Sequence, residues 1–338
     1  MDALVGLLDG VRAHGAFVLR MVLDPPWSMR IQDEAPLTLI CVTDGSAVLS
    51  PDGASAPIHL DAGDVALTRG TENYVLADSA TTAPQVVIHP GQRCTTLSGE
   101  DLKFAMALGV RTWGNSETGA TRAVIGAYEG HSAVSTRLLD ALPSVAVLRA
   151  SEWNSALPQS LSAEAVRDGP GQEAFLDRLL DLLLLDFLRT WFEQPDAAPP
   201  WWTAESDALI GPTLRLIYNN PAHPWTVANL AAAAGISRAA YARRFTALVG
   251  EPPIGFLTAW RLALAADLLD SSDTTVSAVA RQVGYSTPFA LSTAFKRANG
   301  FSPAAFRARR TSPPGSRHPE STAARRPRAL AIRGPALR

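Results

Sequence analysis

Two sets of side chains in this 338-residue chain could do chemistry. The first is small and scattered: Cys41, Cys94, His59 and His89. Thiolates and imidazoles hold metals, and thiolates answer to oxidants. His89 and Cys94 share the loop "HPGQRC" and, with a third ligand from elsewhere, would clip a metal; a lone His and a lone Cys are more often packing residues. Cys41 sits in an apolar strand, where a thiol is usually buried and inert. Cys94 sits beside Arg93, where a thiolate is favoured, so it is the better redox candidate. Two cysteines are too few for a secreted disulfide scaffold, which makes a cytoplasmic home the default. The second set is cationic and clustered: Arg238, Arg243, Arg244, Lys296 and Arg297. Such groups bind nucleic-acid phosphates and base edges.

Charge divides along the chain. Residues 1–206 hold thirteen Lys/Arg against twenty-six Asp/Glu, residues 207–310 eleven against five, and residues 311–338 six against one. The net charge of −2 hides an acidic half and a basic half, and the basic half suggests a nucleic-acid partner.

The clustered cations lie in a repeat. Residues 230–257 and 279–307 share their punctuation: Gly235 meets Gly284, Ser237 meets Ser286, Gly250 meets Gly300, Pro253 meets Pro303 and Phe256 meets Phe306. Each copy predicts helix, tight turn, helix. The first helices span 227–234 and 276–283, and Gly235 and Gly284 stop them in a left-handed conformation. Ser237 caps the next helix of copy one; Thr287 followed by Pro288 does so in copy two. Tyr241, Phe245 and Leu248 form the buried stripe of the first, with Ala239 and Arg243 on the far side. Leu291, Ala294, Phe295 and Ala298 form that of the second, with Ser292 and Thr293 facing away. A helix-turn-helix with Gly in the turn is a DNA-reading motif. A hairpin that merely packs is the plain alternative, but it does not explain two copies in register with cations outside.

"GISRAAYARRFTALVGEPP", "WRLALAADLL" and "GYSTPFALSTAFKRANGFSPAAFR" closely resemble the DNA-binding domain of AraC/XylS-type transcription regulators. The resemblance implies two recognition helices in successive major grooves of double-stranded DNA. It places Ala239, Ala242 and Arg243 against bases in copy one, and Pro288, Phe289, Ser292 and Thr293 in copy two. Only Arg243 is a good bidentate reader of guanine; the alanines offer contact with thymine methyls. Arg238, Arg244, Lys296 and Arg297 are expected to bind phosphates and supply most of the affinity. RNA polymerase would be a partner of an activator.

The N-terminal half reads as β between about 16 and 88: "LTLICVTDGSAVLS" with a turn at Asp44-Gly45, "IHLDAGDVALTRGTENYVLAD" with a turn at Gly63-Asp64, and "TAPQVVIHP". These segments, with "GVRTWGN" and "STRLLDALPSVAVL", resemble the cupin-type sensor barrel of some AraC-type regulators, which implies a small-molecule effector. Some such regulators respond to oxidants through cysteine, which keeps Cys94 and Cys41 as alternatives. Catalytic cupins carry a His-x-His pair, a Glu and a later His. Here 37–48 holds neither His nor Glu, and Asn73 and Tyr74 stand at the late position. No metal site, cofactor or catalytic residue is therefore expected; a metal-dependent cupin enzyme with a DNA-binding appendage is the outside alternative.

Residues 172–194 predict a strong helix whose stripe includes Leu176, Leu180, Leu183, Phe187 and Trp191. Its apolar surface covers more than half the circumference and needs cover on two sides. A second copy of the chain, giving a homodimer, and burial within one chain are equal alternatives. The expected organisation is α+β: a cupin-like domain over 1–170, the leucine-rich helix over 171–195, and a Pro-rich linker over 196–206 pinned by Trp201 and Trp202. The double helix-turn-helix domain follows over 207–310, and a disordered basic tail over 311–338. Asp9 interrupts the start, so no signal peptide is expected. Asp181 and Asp186 punctuate "LLDLLLLDFL", which is too short and too charged to span a membrane.

Overall fold

The structure, a computed structural model, describes residues 17–53, 56–70, 72–128, 139–271 and 274–310. The chain start and the basic tail lie outside the described residues.

Two sheets face each other. In spatial order the first holds β10 (Ala107–Gly109), β11 (Thr112–Gly114), β1 (Phe17–Leu23), β12 (Thr121–Tyr128), β3 (Leu37–Asp44), β6 (Val65–Arg69) and β13 (Val145–Leu148). The second holds β5 (Ile58–Asp61), β4 (Ser46–Pro51), β7 (Tyr74–Ala77), β2 (Ser28–Ile31), β8 (Val86–His89) and β9 (Arg93–Thr96). The strands continue past the expected β region to Leu148.

Strand β3 shows why its sequence is apolar throughout. Leu37, Leu39 and Cys41 point to a core under the helices, while Ile40 and Val42 point between the sheets. A strand covered on both faces has no polar side. The expected turn at Asp44-Gly45 forms with Gly45 at φ +69, and a Cβ there would lie 2.3 Å from the Ala120 carbonyl oxygen. At the second expected turn, buried Asp64 accepts from Arg149 Nη1 at 2.7 Å, Ala150 N at 2.9 Å and Asp61 N at 3.0 Å. This clamp ties the turn before β6 to the end of β13.

Helices α1 (Leu157–Ala165) and α2 (Gln172–Glu193) cover the outer face of the first sheet. Helix α2 buries Leu176, Leu180, Leu183, Leu184, Phe187, Leu188 and Phe192. A Cβ on Gly126 would meet Leu180 Cδ1 at 2.2 Å, so glycine in β12 lets the helix approach. Tyr128 Oη donates to the Leu180 carbonyl at 3.0 Å, and Trp153 Nε1 donates to Asp186 at 3.0 Å. Of the two covers left open for this stripe, burial within one chain is the one found at Leu176, Leu180, Leu183 and Phe187, which are 3% exposed or less and cannot form a dimer seam as placed. Trp191 is half-buried and stacks on Phe187. The outward apolar residues are Phe175 and Leu182, each 51% exposed.

The expected linker is largely a helix, α3 (Pro200–Glu205), with Trp201 and Ala204 buried. Trp201 and Trp202 both pack on Phe192 at the end of α2. Among the described residues seven helices follow: α4 (Ile210–Asn219), α5 (Val227–Ala233), α6 (Arg238–Val249), α7 (Pro253–Ser271), α8 (Val276–Gln282), α9 (Pro288–Asn299) and α10 (Pro303–Arg310). One core runs without a break from Val18 and Val124 through α2, Trp201 and Ile210 to Tyr241, Phe256 and Trp260. A second gathers Leu262, Ala265, Leu269, Val279, Leu291 and Phe295. Helix α7 contributes to both. Among the described residues no helix is long and apolar enough to cross a membrane.

Candidate nucleic-acid interface and barrel interior

The two helical units repeat in structure as they do in sequence. Helices α5 and α6 form the first, α8 and α9 the second. Thr226 and Thr275 cap α5 and α8, and Ser237 and Thr287 cap α6 and α9, each side chain accepting from a backbone N–H three residues on. Gly235 (φ +68) and Gly284 (φ +85) end the first helices, and Gly250 (φ +87) and Gly300 (φ +82) end the second. The caps at Thr226 and Thr275 escaped sequence reading, although a Thr just before each apolar run was the available signal.

Helix α6 buries Tyr241, Phe245 and Val249, with Leu248 half-buried. Tyr241 Oη and Thr213 Oγ1 share a buried hydrogen bond of 2.9 Å that fixes α6 on α4. Arg238, Ala239 and Arg243 are exposed, and Ala242 is half-buried. Helix α9 buries Leu291 and Phe295; Ala298 is exposed and does not join that stripe. Pro288, Phe289, Thr293, Lys296 and Arg297 are exposed, Ser292 partly so, and Phe289 reaches 80%.

Arg244 differs from the other cations. Its Nε and Nη2 donate to the two oxygens of Asp207 at 3.2 and 2.5 Å. Asp207 Oδ1 also accepts from the N–H groups of Leu209 and Ile210 at the start of α4. The guanidinium holds the Asp207 carboxyl down at about 2. Arg244 therefore ties α6 to the turn that leads into α4, and a phosphate would compete with this pair for it. Arg261 is also engaged: it donates to the carbonyls of Pro221 and His223, each at 2.7 Å, behind the turn at Gly284.

Between the sheets lies a cavity of about 50 Å³. Its walls are mainly apolar, with Met21, Met29, Tyr74, Trp113, Asp33 and Gln92 among them. Cys94 lines it too, and the Arg93 expectation is corrected by strand geometry. Neighbours in a strand point to opposite faces, so Cys94 turns inward beside Ile88, its partner across β8 and β9. Burial, and then Asp101, push its thiol up. Cys41 lies in the other core, where burial raises its thiol far more strongly. The suggested His89–Cys94 clip is undone by the same alternation: His89 Nε2 pairs with Thr95 Oγ1 at 2.9 Å on the opposite face. Among the described residues, no three His, Cys, Asp or Glu side chains gather to hold a metal.

Family models match in two places: a cupin model over residues 2–193, and a helix-turn-helix domain model over residues 230–309. The chain belongs to the AraC-type transcription regulators that carry a cupin domain. This AraC-type regulator is 28% identical over 320 residues to an AraC-like transcription regulator of Streptomyces antibioticus, covering 91% of this chain and 98% of that one. It is 26% identical over 314 residues to the HTH-type transcriptional regulator AlkR of Acinetobacter baylyi, covering 91% and 99%. Among solved structures, the DNA-binding domain of AdpA in complex with a target DNA is 38% identical, with a TM-score of 0.30, covering 31% of this chain and 93% of that one. The regulator is a DNA-binding protein with a β-rich cupin-like domain and a helical C-terminal domain.

Proposed function

We propose that this AraC-type regulator binds a specific DNA sequence with α6 and α9 and adjusts that binding to a small apolar molecule held between the sheets. One observation carries the DNA reading: α6 and α9 present their exposed faces from two equivalent units joined through α7. A single short helix reaches few base pairs, whereas two units on one linking helix reach two adjacent grooves. Arg243 reads guanine. Ala239, Ala242, Pro288, Phe289, Ser292 and Thr293 make the remaining base-side surface, with apolar groups suited to thymine methyls. Arg238, Lys296 and Arg297 bind phosphates.

The effector reading rests on the lining of the barrel cavity. About 50 Å³ accommodates little more than water, so a ligand must displace side chains. Met21 and Met29 have the flexible thioether chains that yield most easily. Asp33, Gln92 and Tyr74 supply the few polar groups that would orient it. A redox switch at Cys94 draws no support from an inward thiol with a raised pKa. In this reading 1–170 sense, 171–195 brace the sensor, 196–206 couple it to 207–310, and 311–338 add non-specific DNA affinity. The protein acts in the cytoplasm as a homodimer whose seam is the outward face of α2, Phe175 and Leu182. An activator would also meet RNA polymerase.

The test is a footprint on the DNA upstream of the regulator's own gene, with and without a panel of small apolar compounds. A compound that shifts the footprint should lose its effect in Ile125→Phe, which fills the cavity, while basal DNA binding persists. A panel without effect on either protein would remove the barrel as the sensor.

A further inference from the structure

A second concavity lies on the opposite side of the first sheet, under α1, and shares no residue with the barrel cavity. It has a volume of about 370 Å³, within the range of small-molecule sites. Arg20, Thr43, Asp44 and Arg122 form its floor, and Gln159, Ser162 and Ala163 of α1, with Val166 just after the helix, its roof.

Strand register explains the floor. Arg20 of β1 stands opposite Val124 of β12, and Arg122 stands opposite Val22. The two arginines are diagonal neighbours on the face that elsewhere buries Val18, Val124 and Cys41 under the helices. A sheet face covered by helices needs apolar side chains; here it carries two guanidinium groups instead. Among the described residues they are poorly neutralised. Arg122 Nη1 is 3.8 Å from Asp44 Oδ2, beyond a hydrogen bond, and its Nε is buried without a partner. Arg20 makes no ion pair among the described residues. Two cations side by side repel unless something negative stands between them.

We propose that this cleft binds a small metabolite bearing an oxyanion, a carboxylate or a phosphate, gripped between Arg20 and Arg122. Guanidinium forks match both groups in a bidentate manner. The Gln159 amide and the Ser162 hydroxyl supply further donors from the roof. Because α1 packs on both the sheet and α2, a ligand joining roof to floor would tighten the helices on which the DNA-binding half rests. The site goes beyond the barrel effector and does not depend on it.

The test is calorimetric titration of the full chain at low ionic strength with two probes, inorganic phosphate and succinate. At least one should saturate the native protein, and the tighter probe identifies the anion class. Arg20→Gln with Arg122→Gln should weaken it tenfold or more while thermal unfolding and DNA affinity stay unchanged. Asp44→Asn should tighten it severalfold by removing the competing carboxylate. If the double variant does not fold, Asp44→Asn and Arg20→Lys carry the test, with Arg20→Lys expected to weaken binding. No saturation by either probe overturns the proposal. So does undiminished binding in the double variant, which would assign the anion to the DNA-binding helices, or an unaltered affinity in Asp44→Asn.

Discussion

At the scale of residues, the cations of the DNA-binding half are not equivalent. Arg243 is exposed and has no structural partner among the described ion pairs, so Arg243→Ala should cost about 1–3 kcal/mol at a matched site and relax preference there. Fluorescence anisotropy on matched and scrambled duplexes reads this, and equal losses on both would sink the base-reading role. Arg244 was legible as a cation but not as half of a pair, because Asp207 lies 37 residues away and nothing local announces it. Asp207→Asn should free Arg244 and steepen the salt dependence of DNA binding, as an added phosphate contact does. It should also alter acid stability. A carboxyl held down at about 2 in the folded state gives stability that is fully present above its unfolded value of about 3.9. That stability is lost as pH falls from there through about 2, so the native protein should lose more stability than Asp207→Asn in that window, by urea unfolding at successive pH values. Cys94, with its raised pKa, should alkylate more slowly at neutral pH than a free thiol; a rate at or above that of a small-molecule thiol would restore the redox reading.

At the scale of elements, the local signals were sufficient for the helical units and insufficient for α2. A helix-turn-helix is written in caps, glycines and a narrow apolar stripe, all within a dozen residues of one another. Ser237, Thr287, Gly235 and Gly284 do in space what their types suggest. The periodicity of α2 shows how wide its apolar surface is, but not what covers it. Sheet residues Val124 and Gly126 and the linker tryptophans supply that cover from distant parts of the chain. Leu180→Ala should therefore destabilise the monomer by about 2–5 kcal/mol. Leu182→Ala should stay within about 0.5 kcal/mol by the same urea measurement. Leu182→Glu should lower the mass measured by light scattering to that of one chain, and an unchanged dimer mass would place the seam elsewhere. The cleft under α1 was hidden for a related reason. Arg20 and Arg122 meet only through a strand register that the sequence does not state.

At the scale of the whole molecule, the sensor half and the first helix-turn-helix unit share one continuous core, while the second unit keeps its own. The proline-rich segment between them looked like a boundary because its composition resembles a linker. Its aromatic residues instead fill the space between α2 and the DNA-binding half, with Trp201 and Ala204 buried. This bears on where the chain tolerates being cut. A fragment beginning at Asp207 would leave behind the side chains that shield α6, and should aggregate or melt well below one beginning at Ala198, by scanning calorimetry; equal melting points would show that α3 is dispensable. The same continuity divides the chain for unfolding. The line between cooperative blocks falls within α7, near Arg261: the buried side chains before it, Phe256, Leu257 and Trp260, belong to one core, and the buried ones after it, Leu262, Ala265, Ala266 and Leu269, to the other. Heat or a pulling force should release residues 262–310 as a unit while the reading head next to the sensor stays folded. A regulator so arranged has one DNA grip rigidly geared to its sensor and one that can let go first.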